Sequence, residues 1–228
     1  MLTLLQINVT DTLSTAENAE QVRLSLFELA FKGGWVMIPI ILLSIIAVYI
    51  FFDRYFAIQK ASKGDINFMN RIKDYIHDGK IDSALALCQS NYTPEARMIE
   101  KGVQRIGRPL DDVSAAVENV GKLEIYKLEK GLPLLATVAG GAPMIGFLGT
   151  VMGMIRAFYD MSMAGNNLDV GLLSNGIYTA MVTTVAGLIV GIIAYFAYNI
   201  LVANVEKVVN KLEVNTTEFL DLLSEPAK

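Results

Sequence analysis

The chain has 228 residues, of which 53% are hydrophobic and only 18% charged, with a formal net charge of −4. That balance is too apolar for an ordinary soluble domain, and without a dense Lys/Arg run or aromatic–basic interleaving it excludes a nucleic-acid-binding surface. The single cysteine, Cys88, excludes an intramolecular disulfide.

The N-terminal segment, 1–32, has no basic n-region and too short an apolar core for a signal peptide. Val22, Leu26, Leu29 and Ala30 at helical spacing predict a short interfacial helix leading to Gly33-Gly34. The first apolar stretch, 33–52, stops at Asp53-Arg54 and meets the ~20 residues a bilayer core requires. Trp35, Tyr49 and Tyr55 flank it as interfacial aromatics. It would act as an uncleaved signal-anchor.

Segment 53–131 reads as a domain of helical hairpins. Asp65 is placed to cap a helix with the stripe Ile66, Met69, Ile72 and Ile76, ended by Gly79. His77 at that helix's end suits C-terminal capping better than metal ligation, since no second ligand cluster accompanies it. A short helix follows through Ala84–Cys88, where the thiol reads as buried and structural. Thr93-Pro94-Glu95 is a helix start, with Thr as N-cap, and this helix should end near Gly107-Arg108-Pro109. Asp111 and Asp112 open a helix with apolar positions Val113, Ala116, Val117, Val120 and Leu123. It is expected to run unbroken into the next span, kinked at Gly131 and Pro133.

The second span, 132–155, stops at Arg156. After a loop, 156–176, the third span covers 177–204 and the tail 205–228. Leu201, Val205, Val208, Leu212, Phe219 and Leu222 form a seam in steps of four and three, with Asn215 at the missing position. Such a seam serves either an oligomer or packing on the chain's own helices. The segment between spans one and two holds thirteen of the nineteen Lys and Arg residues. The positive-inside rule therefore places it and the C-terminus in the cytoplasm, with the N-terminus and the loop 156–176 outside. The expected fold is an all-α membrane protein of three transmembrane helices with long helical extensions and a cytoplasmic helical domain.

No span contains Asp, Glu, Lys, Arg or His. Gly140, Gly141, Ala142, Gly146, Gly149 and Gly153 mark span two, and Ala180, Thr184, Gly187, Gly191 and Ala194 mark span three. Small-residue stripes let helices approach closely in lipid, so Gly146, Gly149, Gly153, Gly187 and Gly191 are the packing candidates, implying a bundle or oligomer. Span one, rich in Ile, Leu and Val, is expected to face lipid. Thr137, Thr150, Thr179, Thr183 and Thr184 are the polar candidates, each with the alternative of bonding back to its own helix. Thr150 lies about 7 Å inside the outer end of span two and Thr184 about 10 Å inside that of span three, a similar depth. A chain built this way cannot carry a proton on its own intramembrane side chain, so the charged group must come from a partner. No phosphate loop, metal site or nucleophile–base pair is visible, so neither an enzyme nor a bound cofactor is expected.

The segments "APMIGFLGTVMGMIRAF" (142–158), "GIYTAMVTTVAGLIVGIIAYFAYN" (176–199) and "FKGGWVMIPIILLSIIAVYIFFDRY" (31–55) resemble the signatures of the MotA/TolQ/ExbB proton-channel family, in the same order and over nearly the whole chain. The resemblance implies a homo-pentamer in the bacterial cytoplasmic (inner) membrane. It would surround an ExbD-like single-pass partner with an intramembrane Asp and use the proton motive force to energise a TonB-like protein. It further implies pore threonines at Thr150 and Thr184, with Thr183 and Thr179 beside them. Two positions depart from the pattern: Thr179 stands where the family often has Glu, and Ile193 where it has Pro. The departure at Thr179 again leaves the acid to the partner. The TolQ-like and MotA-like roles stay open, as does a non-transporting membrane scaffold.

Overall fold

The computed structural model describes residues 33–65, 67–163 and 170–224. The expected interfacial helix within 1–32, the stripe residue Ile66, positions 164–169 of the loop and Lys228 lie outside the described residues. After a 3₁₀ turn at Gly34–Val36, seven helices follow: α1 (Met37–Ser62), α2 (Phe68–His77), α3 (Ile81–Ser90), α4 (Pro94–Val103), α5 (Leu110–Glu129), α6 (Leu132–Met163) and α7 (Val170–Ser224). Among the described residues there is no strand. Three stretches, ending in α1, α6 and α7, are long and apolar enough to cross a membrane.

Local chemistry sets the helix ends. Asp65 does not cap α2 as expected. Its carboxylate accepts from the Asn67 N–H (3.0 Å) and its carbonyl from the Phe68 N–H (3.0 Å), a turn that delivers the chain to Asn67 as N-cap. At the other end Gly79 takes φ +70°. That conformation aims its N–H at the Ile76 carbonyl and the Lys80 N–H at the Tyr75 carbonyl, satisfying the last turn. Thr93 caps α4 as expected, its hydroxyl accepting from the Ala96 N–H at 3.2 Å. That helix ends at Val103, earlier than expected, and turns lead to Gly107 at φ +94°.

The expected unbroken helix from Asp111 into span two is divided. Gly131 at φ +89° separates α5 from α6, because a left-handed residue cannot continue a right-handed helix. Pro133 sits in the first turn of α6, where a missing N–H costs nothing. The break leaves carbonyls at the end of α5 without intrahelical donors. Arg54 of α1, paired with Asp53, reaches one of them, donating to the Lys127 carbonyl at 2.9 Å.

The described chain forms two contact units. One takes in the start of α1 through Pro39 with Ile145–Ala186; the other comprises Ile40–Met144 and Gly187 onward. In the second unit the seam on α7 is buried: Leu201, Val205, Val208, Leu212, Phe219 and Leu222, with Asn215 half-buried between them. Except for Leu222 these belong to the core cluster that includes Phe68, Ile72, Ile99 and Val117. Of the two uses open to this seam, packing on the chain's own helices is the one realised. Gly102 makes room for it. A Cβ there would fall 2.3 Å from Phe219 Cε1 and 2.9 Å from Val117 Cγ2. Cys88 is buried in the same core, and desolvation pushes its thiol up to about 12, an inert structural group.

Two carboxylates are also buried in this unit, and sequence reading missed that. Glu124 accepts from Arg97 Nη1 at 3.0 Å and from Lys127 Nζ at 2.6 Å. Glu95 pairs with Lys211 Nζ at 3.3 Å beneath Gly64, where a Cβ would meet Lys211 Nζ at 2.5 Å. Burial raises the Glu95 pKa above the ordinary carboxylate value, opposed by Lys211. The sequence signal available was Glu95 in the first turn of a capped helix, which foretells a favourable dipole but not burial.

Candidate functional site

The first unit brings the outer half of α6 against the start of α7. A Cβ on Gly149 would lie 2.4 Å from Thr183 Oγ1, one on Gly153 2.8 Å from Ala180 Cβ, and one on Gly176 2.4 Å from Ala157 Cβ. As residue numbers rise on α6 the partners fall on α7, so the helices run antiparallel in close contact. Only residues without bulky side chains permit this approach, which in lipid is driven by packing. Gly149 and Gly153, four residues apart, both stand at this contact. Gly176 and Ala157 were missed, although Gly176 continues the four-residue step back from Ala180. Val36 enters the same contact, 3.1 Å from the Gly149 Cβ position, and Val36 and Met37 are buried. The start of the first span thus packs on protein rather than facing lipid alone, although Ile38, Ile41, Leu42 and Ile45 further along α1 remain exposed.

The threonines take different places around this seam. Thr183 is 2% exposed, and its hydroxyl lies 2.7 Å from the Ala180 carbonyl and 3.3 Å from the Gly146 carbonyl. Thr184, half-buried, crosses from α7 to donate to the same Gly146 carbonyl at 3.0 Å. Gly146 is itself buried, and its lack of a side chain opens its carbonyl to the neighbouring helix. Thr150, half-buried, bonds back to the Phe147 carbonyl of its own helix at 2.6 Å. The antiparallel pairing sets Thr183 against Gly149, so Thr150 and Thr184 stand within about two residues' rise of each other, ~3 Å along the axis. Thr179, half-buried, lies one turn before Thr183. Thr137 bonds back to Pro133 at 2.9 Å. The structure thus sets Thr183 inside one chain's helix pair and leaves Thr150 and Thr184 at its edge.

In the second unit Gly191 meets Pro143 and Ala139. A Cβ would fall 2.4 Å from Pro143 Cγ and 3.0 Å from the Ala139 carbonyl oxygen. Pro143, inside α6, supplies no N–H to that carbonyl four residues back, and Gly191 lets the facing helix close over the gap. Gly187 is buried as well. Among the described residues no group of His, Cys, Asp or Glu could hold a metal ion.

Chemically, the seam offers hydroxyls and one shared carbonyl in an apolar setting. The hydroxyls of Thr150 and Thr184 each give their hydrogen to a carbonyl and keep their lone pairs, so as they stand they can accept from an acid O–H. With helices and no strand among the described residues, and three stretches long and apolar enough to cross a membrane, this is a multi-pass α-helical membrane protein. The model of the MotA/TolQ/ExbB proton channel family matches residues 90–214, and the chain belongs to that family. It is similar to an ExbB homolog of Methanothermobacter thermautotrophicus, 25% identical over 83% of this chain and 67% of that protein. It also resembles the Tol-Pal system protein TolQ of Pseudomonas aeruginosa, 27% identical over 82% of this chain and 86% of TolQ. With the biopolymer transport protein ExbB of Helicobacter pylori it shares 34% identity over 40% of this chain.

Proposed function

We propose that this chain is the wall-forming subunit of an ExbB-type motor in a bacterial inner membrane. Copies surround a single-pass, ExbD-like partner and pass the proton motive force to a TonB-like protein. The observation that carries the reading is the pair of half-buried hydroxyls, Thr150 and Thr184, held at similar depth in spans, 132–155 and 177–204, that contain no Asp, Glu, His, Lys or Arg. The partner supplies the carboxylate. A protonated acid donates to the hydroxyl lone pairs as they stand. An ionised one requires the Thr184 hydroxyl to turn away from the Gly146 carbonyl and donate outward. A charged carboxylate in the bilayer costs several kcal/mol without such a polar wall, so protonation changes how strongly the wall holds the acid. Thr179 stands where the pattern this chain resembles often has Glu, and it leaves this subunit with no intramembrane proton of its own to exchange. On this reading the chain has no catalytic chemistry, and the Lys/Arg-rich segment 53–131 and the C-terminus are cytoplasmic.

Thr150→Val with Thr184→Val tests this. It preserves shape and removes both hydroxyls, so assembly on native mass spectrometry should be unchanged. A partner carboxylate left without a donor loses ~1–3 kcal/mol, and its pKa rises, since one unit corresponds to ~1.4 kcal/mol. Proton flux in proteoliposomes holding chain and partner should fall sharply, and wild-type flux from the double variant would sink the assignment. Near-full-length similarity to TolQ favours a second output, envelope maintenance through a TolR-like partner. Which single-pass protein co-purifies separates the two.

A further inference from the structure

The second unit carries an open groove of about 700 Å³ at the break between α5 and α6. Its floor is apolar: Leu132 and Val205 are buried, with Val202 and Tyr198 half-buried beside them. Its lining also includes two exposed carboxylates, Glu129 from the end of α5 and Glu206 from α7. Among the described residues neither has an ion pair or hydrogen bond, whereas the buried Glu95 and Glu124 are each held by cations. Lys130 and Lys207, next to them in sequence, do not line the groove.

We propose that this groove seats the cationic flank of a single-pass membrane partner, a helix whose Lys or Arg residues directly follow its apolar span. The inference rests on the reading above that such a partner accompanies this chain. The groove lies where charge first returns: α7 has no Asp, Glu, His, Lys or Arg before Glu206, and α6 begins just after Glu129. A partner helix leaving the bilayer there presents apolar residues and then its positive end. The stems of Lys and Arg lie on apolar surface while their heads reach outward, which matches an apolar floor with carboxylates at its edge. An anionic lipid headgroup carries the wrong charge for the same place.

The full chain in nanodiscs is titrated with two synthetic single-span peptides. They share one apolar span with an intramembrane Asp; one ends in a run of lysines, the other in a run of glutamines. The lysine-flanked peptide should bind about three- to tenfold tighter, as expected for two partly exposed ion pairs. The preference should vanish in high salt and in Glu129→Gln/Glu206→Gln. Glu129→Lys/Glu206→Lys should favour a glutamate-flanked peptide instead. Asp221→Asn, elsewhere on α7, should keep the wild-type preference. Binding without any flank preference overturns the groove assignment alone, while failure of both peptides to bind overturns the partner reading with it. Dissociation of the Glu129→Gln/Glu206→Gln oligomer in the absence of peptide would assign the groove to a second copy of the chain and also overturn the proposal.

Discussion

Glu95 is 5% exposed, and Lys211, its one ion-pair partner among the described residues, keeps 40% of its side chain in contact with solvent. Burial therefore outweighs pairing, and the folded-state pKa lies above the unfolded one. An acid shifted upward stabilises the fold below its unfolded pKa and loses that contribution as pH rises through the folded value. Glu95→Gln cannot ionise, so the melting temperature of the wild type relative to this variant should fall as pH rises above the ordinary carboxylate range and through the raised folded-state value. A difference that grew with pH would show that Lys211 dominates instead. Thr179 is the other residue whose role is local. It stands one turn from Thr183, outside the shared bond to Gly146. If the partner alone carries the proton, Thr179→Val should retain flux within about twofold, less than a tenfold change in equilibrium of ~1.4 kcal/mol. Loss of flux there would place this hydroxyl in the relay.

The elements meet through glycines, and the two contact units test that separately. Gly149→Ala puts a methyl where Thr183 Oγ1 and Cβ stand, at 2.4 and 2.8 Å. Thr183 must rotate or α7 must shift, and either loosens the Gly146 bond. Overpacking costs ~1–3 kcal/mol, against a helix-propensity gain of ~1 kcal/mol. Thermal unfolding in nanodiscs should show net destabilisation, with unaltered melting counting against the close seam. Gly102→Ala challenges the other unit, where Phe219 is fully buried. Phe219 and Val117 both have to give, so a loss of similar size is expected, and Phe219→Ala should cost more, ~3–5 kcal/mol, by leaving a cavity.

For the whole molecule the open question is which end faces which compartment. The Lys/Arg asymmetry predicts that a cysteine at Ser162, exposed near the end of α6, is labelled from the periplasmic side by a membrane-impermeant maleimide, and one at Ser83 is not. Cys88 gives little background, since it is buried and its thiol is held in the unreactive form. The reverse pattern would invert the topology and place the Glu129–Glu206 groove outside.

Much of this architecture is local and was therefore readable in the chain. Apolar runs without charge are membrane helices whatever surrounds them, Thr93-Pro94 caps α4 by its own bonds, and the four-residue steps of glycine and alanine foretell a close helix pair. The family signatures lie in those same segments, for the same reason. What depends on which partner stands opposite was out of reach. Spacing alone left the α7 seam to serve an oligomer or its own chain, and only the packed core around Phe219 and Ile99 chose the second. The break at Gly131 required a left-handed backbone that glycine permits but does not impose. Thr150 and Thr184 look alike in sequence, yet one bonds to its own turn and the other to Gly146 of the neighbouring helix, because a hydroxyl takes whichever carbonyl the tertiary fold brings within reach.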